Sequence, residues 1–226
     1  MGDPVRDDAA RAELDGLGLR HFLDVRATAR RMLEHMGRSE RTAFAGAVAE
    51  RLLREGERQP ARRRPPYLST WRPALDAVWR GLAGDAAAPR QVAIAVARFY
   101  LSRDYHDRPH DDPADAADHT IMASFYAAEC ALHGCLEPAT WAGWRGFDHA
   151  TVRAAGDVGW PHRRPAGVTP YAWELAHPVI QAELDRQLAD LELLALESHV
   201  LQDEQAAALP LLARLRTGQA GQLAAR

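Results

Sequence analysis

Lysine and asparagine are absent from this chain of 226 residues, and all 28 of its Lys/Arg positions are arginine. Without lysine there is no amine for a Schiff base, a pyridoxal phosphate link or the phosphate-binding lysine of a P-loop. Cysteine is scarce as well. Cys130 and Cys135 are five apart, form no C-x-x-C, and cannot build a Cys-rich zinc knuckle. In an apolar helical run they read as small buried hydrophobes. No stretch approaches the ~20 apolar residues of a membrane span. The opening "MGDPVRDDAARAELDG" is charged from its third residue and lacks the apolar core of a secretory leader. The expectation is a cytoplasmic, reduced protein with no membrane contact. A net charge of −3 gives no global pull towards nucleic acid, which is not an expected partner.

What is present is helical periodicity. Apolar–polar alternation of the strand type is missing, and apolar residues recur at spacings of three and four almost throughout. "RHFLDVRATARRMLEHMG" gathers Phe22, Val25, Ala29, Met32, Leu33 and Met36 on one face and stops at Gly37. Ser39 is placed to cap "RTAFAGAVAERLLREG", with Phe44, Val48, Leu52 and Leu53 inward. Further helices are expected over 71–83, 88–102 and 113–134. A shorter one is expected over 138–155, the longest over 178–201, and a last one over 203–216 with Pro210 breaking or kinking it. The Pro/Arg-rich stretch 57–68 reads as a connector and 156–169 as a loop, while residues 1–20 read as peripheral. The fold class is all-α: one compact bundle of about eight or nine helices, its core formed by the helices at 71–83, 88–102, 113–134 and 178–201. The tryptophans read as core residues.

The segment "DYHDRPHDDPADAADH" (104–119) is the strongest chemical signal, with six aspartates and three histidines in sixteen positions. Asp112 suits an N-cap, Pro113 the first helical position, and Asp115 the third. On that helix Ala117, Ile121, Phe125 and Ala128 form a core face. Asp115, His119, Met122, Tyr126, Glu129 and His133 form a second face with no arginine in it. Two readings follow. His106, His110, Asp115 and His119 suit a divalent metal such as Zn²⁺, Mn²⁺ or non-haem iron. Glu129, His119, Tyr126 and His133 suit acid/base chemistry, if their face lines a cavity. No H-E-x-x-H, paired E-x-x-H or EF-hand loop supports the metal, and aspartates at a helix start are stabilising in themselves. Glu129, if buried, needs an arginine or histidine partner or a raised pKa.

Other stretches point to binding. Arg54 and Arg58 with "ARRRPPY" (61–67) put five arginines before a tyrosine. Their forks suit phosphate, but with no aromatic ladder beside them they read as a solvated connector. "GWPHRR" (159–164) offers Trp160, His162, Arg163 and Arg164 as a partner or ligand contact, since Trp and Arg dominate interface hot spots. Neither G-x-S-x-G nor G-x-G-x-x-G occurs.

The stretches "RTAFAGAVAERLL" (41–53), "RPALDAVWRGL" (72–82), "FYAAECAL" (125–132) and "HPVIQAELDRQLADLELLA" (177–195) together resemble the YjaG-like family of all-helical bacterial proteins. The resemblance spans about 40–215 and implies a compact helical bundle without supplying chemistry. The "PARRRPPY" connector, the His-rich loop and "GWPHRRPAG" depart from it. Two functions are therefore expected. The first is a non-catalytic helical binding protein, an accessory, regulatory or immunity-type factor acting on a protein or small-molecule partner. The alternative is a small helical enzyme using the His/Asp/Glu set. The long C-terminal helix could also pack against a second copy as a homodimer.

Overall fold

The computed structural model describes residues 4–107, 115–203 and 205–218. It is 80% helical, with nine helices of seven residues or more and no strand among the described residues. With the shorter ones included, the helices in chain order are α1 (Pro4–Gly16), α2 (Phe22–Glu34), α3 (Arg38–Glu57), α4 (Leu68–Leu82), α5 (Ala88–Tyr100) and the single turn α6 (Arg103–Asp107). There follow α7 (Ala116–His133), α8 (Leu136–Ala155), α9 (Pro170–Leu175), α10 (Pro178–Leu196), α11 (Ser198–Asp203) and α12 (Gln205–Thr217).

Two helices form the centre. On α3 every residue from Thr42 to Glu50 is buried. The run T-A-F-A-G-A-V-A-E is built of small residues, so neighbours approach it from all sides. At Gly46 a methyl group would already stand 3.3 Å from the Trp79 ring. α7 packs against α3, α4, α5 and α8, and it is buried without interruption from Asp118 to Phe125. The second face of this helix is therefore closed to solvent along that stretch. His119 and Met122 are about as buried as Ile121, and His119 faces Asp148 of α8. Its start also differs from expectation. Asp115 is the N-cap, extended and accepting the Asp118 N–H at 2.9 Å, rather than a residue of the first turn. Asp112 and Pro113 lie outside the described residues.

The head of α3 closes two other helix ends. Arg38 donates to the carbonyls of Ala131 and Leu132, and Arg41 donates to Leu33 O at 2.8 Å and Gly134 O at 3.1 Å. These are carbonyls that a helix C-terminus leaves without intrahelical partners. Gly134 itself turns the chain out of α7 at φ +69°, the left-handed conformation that glycine adopts at no steric cost.

Several helix bounds shift. α8 begins at Leu136 and is as long as α3, with 20 residues each. α10 stops at Leu196 instead of running to 201. Glu197 leaves the helical region there, and its carboxylate accepts from Arg214 of α12 at 2.6 Å. α12 runs through Pro210 to Thr217. Among the tryptophans, Trp71 and Trp79 are core, but Trp141 and Trp144 are 43% and 38% exposed. Cys130 is buried, with burial pushing its thiol up to about 11, whereas Cys135 is exposed at the α7–α8 junction. α1 packs on α9 in a small cluster of its own, through Ala10, Leu14, Ala172 and Leu175. Tyr171 Oη ties it down by donating to Asp7 at 2.9 Å.

Candidate functional site

The structure distributes the acidic and histidine-rich set over several places. His106 is exposed on α6, its ring against Tyr105, and Asp115 is occupied as the cap of α7. His119 points to α8, with Nδ1 3.9 Å from Asp148. His110 lies outside the described residues. Among the described residues no group of three or more His, Cys, Asp or Glu side chains stands close enough to hold a metal ion. Of the acid/base set, Glu129 and His133 come together, 3.5 Å apart one turn along α7. Tyr126 turns its ring to Trp141 instead, at 5.3 Å between centroids. Glu129 has a partner that sequence reasoning missed: Tyr100 of α5 donates to it at 3.3 Å. Burial, and then the Glu129 charge, push the Tyr100 phenol up to about 12.

The "GWPHRR" loop is anchored by its tryptophan. Trp160 and Trp173 stack in parallel at 4.2 Å, and each indole donates to the other residue's carbonyl, at 2.8 and 2.9 Å. Trp160 therefore holds the loop to α9, leaving His162, Arg163 and Arg164 as its exposed part.

Two charged neighbours in the middle of α3 went unremarked in the sequence, and each organises a network. A charge inside a buried helix must be paired, since an isolated one would neutralise instead. Arg51 pairs with Glu183 at 3.0 Å and Asp190 at 2.5 Å, both on α10. Burial weakens its hold on the proton, but the two carboxylates more than reverse this and keep it charged. Asp190, almost fully buried and sharing its one guanidinium with Glu183, is raised above the usual carboxylate range. Glu50 points to the other side, towards α4 and α12. It accepts from Arg54 at 2.8 Å, Arg72 at 2.8 Å and Trp79 Nε1 at 3.1 Å. Burial acts upward on Glu50, and the hydrogen bonds of Arg72 and Arg54 overcome it, so its carboxyl lies below the usual range. His149 of α8 stands 3.5 Å from Glu55, which is also ion-paired to Arg153. Burial and then Arg153 push His149 down to about 4. Burial inside helix interfaces is the largest influence on each of these groups, and pairing outweighs it at Glu50 and Arg51.

A ligand-sized space lies elsewhere, between α4 and α5. This groove has a volume of about 640 Å³, within the ordinary range of small-molecule sites. Trp71, Ile94, Ala95 and Phe99 supply its apolar wall, and Ile94 is 42% exposed. Five residues of its polar lining differ in what they have free. Ser69 donates to Pro66 O, Ser102 to Phe99 O, and Gln91 accepts from Arg80. Arg98 and the Thr70 hydroxyl have no such partner among the described residues. Along its wall Trp71 of α4 and Phe99 of α5 meet edge to face at 5.0 Å. Compared with family models, curated proteins and solved structures, the chain matches none.

Proposed function

We propose that the chain is a non-catalytic helical binding protein whose α4/α5 groove takes a small amphipathic molecule with an anionic head. The observation that carries this reading is the pairing of an exposed apolar wall at Ile94 with an arginine, Arg98, that no carboxylate among the described residues neutralises. An apolar cleft with a few convergent polar groups is the common form of a small-molecule site. Among the described residues with shifted pKa values, Tyr67 is the one that lines the groove, and burial raises it so that its phenol stays protonated at neutral pH, which favours binding over acid/base work there.

Decanoate and 1-decanol share an alkyl chain and differ in charge, so calorimetric titration with both tests the assignment. Decanoate is expected to bind saturably and more tightly than the alcohol. Arg98→Ala should remove that preference, a loss of roughly tenfold if a charge-assisted hydrogen bond is involved. Ile94→Asp should abolish binding of both. Undiminished binding to Ile94→Asp would show that the groove is not the site. The enzymatic alternative has one observation in its favour, the contact of Glu129 with both His133 and Tyr100 at the α5–α7 edge. None of these three residues lines the groove.

A further inference from the structure

The arginines that the sequence groups together are not the ones the fold brings together. Arg62 and Arg63 sit on an exposed turn, while Arg54 and Arg58 leave them and join Arg72 of α4 and Arg216 of α12 around an open bowl of about 440 Å³. Glu50 forms its floor and Glu57 its rim. Every residue of this lining is charged.

The floor explains how four cations are held so close. Glu50 is buried and stands at the meeting point of three guanidinium groups: Arg54 and Arg72 donate to it, and Arg216 Nε lies 3.6 Å away. Arg72 also donates to Glu57 at 2.7 Å, and Arg216 is paired with Asp76. Counting these carboxylates against the arginines leaves one positive charge in excess. Donors are in larger excess than charge, because each guanidinium carries five N–H groups. Arg54 uses Nε on Glu50 and has its outer nitrogens free, and Arg58 makes no ion pair among the described residues. Arg72 Nη2 is buried with no hydrogen-bond partner. Arginine forks held in place by a fixed carboxylate need no further ordering when a ligand arrives, which lowers the cost of binding. A bowl with spare donors and surplus positive charge is complementary to a compact oxyanion that accepts several hydrogen bonds at once.

We propose that this bowl is a phosphate site, with Arg54 and Arg58 as its direct donors and Glu50 as the group that positions the guanidinium cluster. Tetrahedral phosphate accepts from several directions at once, as the arrangement of arginines from three helices requires, and arginine is the side chain whose geometry matches it. The site is separate from the α4/α5 groove and shares no lining residue with it.

The test is calorimetric titration with inorganic phosphate and with pyrophosphate at constant ionic strength, with chloride as the screening control. Saturable binding of both is expected, pyrophosphate the tighter. The double variant Arg54→Ala/Arg58→Ala should weaken it at least tenfold, while Arg62→Ala/Arg63→Ala on the neighbouring turn should leave it unchanged. Arg98→Ala should also leave it unchanged, which keeps this result independent of the groove. Circular dichroism of each variant checks that the helices persist. Because Arg54 and Arg58 lie at the open side, the fold is expected to tolerate their loss. No saturable binding, equal binding by the Arg54/Arg58 double variant, or a loss in Arg62→Ala/Arg63→Ala equal to that in the double variant would each overturn the assignment.

Discussion

Folding moves the protonation of His149 well away from its ordinary range. Buried at the α3–α8 interface and facing Arg153, it holds a proton in the fold only near pH 4, against an ordinary 6.5. Between those values the unfolded chain binds a proton that the folded one does not, so stability rises with pH across the window. The contribution is fully present above about 6.5 and is lost as the pH falls towards 4, on the order of 3 kcal/mol in all. Glu50, held below the carboxylate range, loses its contribution in the same direction but lower on the scale. Asp190, held above that range, acts the opposite way: its contribution is lost as pH rises through its folded pKa. Both remain in His149→Gln, so comparing this variant with the parent isolates the histidine. Urea unfolding from pH 7 to 4.5 should give a shallower fall in stability for His149→Gln. Parallel curves for the two proteins would mean that His149 is not the responsive group.

At the scale of helices, the closest approach is made where side chains are missing. Gly143 and Gly146 of α8 face α3 and α10, and a methyl group on Gly146 would stand 2.7 Å from Glu183 Oε1 and 2.9 Å from Val48 Cγ1. Neither glycine needs an unusual backbone. They are there for space, which lets Gln187 donate to the Gly143 carbonyl at 2.8 Å and to Glu183 at 3.0 Å beside Arg51. Alanine in mid-helix normally gains about 1 kcal/mol over glycine. At Gly146 overpacking should reverse this and leave a net loss of roughly 1–2 kcal/mol. Gly16→Ala, at a position with nothing within 4 Å, should be neutral or slightly stabilising, and denaturant titration of both variants reads the contrast. This is also where the sequence was least legible. The all-helical class, the inward set Phe44, Val48, Leu52 and Leu53, and most helix bounds follow from a period of 3.6. That Asp115 caps α7 is a matter of where the helix begins, which periodicity does not encode. Nor does it encode which neighbour covers a face: on the stripe of His, Tyr and Glu, His119 and Tyr126 meet α8, Glu129 meets Tyr100 of α5, and His133 stays exposed. Glu50 and Arg51 carried a legible signal, two adjacent charges inside a run of small residues. Their partners Arg72, Glu183, Asp190 and Arg216 are too distant along the chain to be inferred from it.

Taken as a whole, the molecule has one large core around α3 and α7, and smaller clusters under α1 and α9 and between α2, α8 and α10. The two proposed sites lie on the large core's outer side, the groove over α4 and α5 and the bowl where α3, α4 and α12 meet. Both are therefore backed by the best-packed part of the fold. The enclosure of α3 has a further consequence. The amide protons from Thr42 to Glu50 can meet solvent only when the helices around them come away, so their deuterium uptake should follow the opening of the whole core. Uptake in α1 should follow only the release of α1 from α9 and so be faster. Mass spectrometry of exchanged peptides would then give the core's opening free energy directly from the slowest segment. If Thr42–Glu50 labels as fast as α1, the two do not differ in this way and the central place of α3 is wrong.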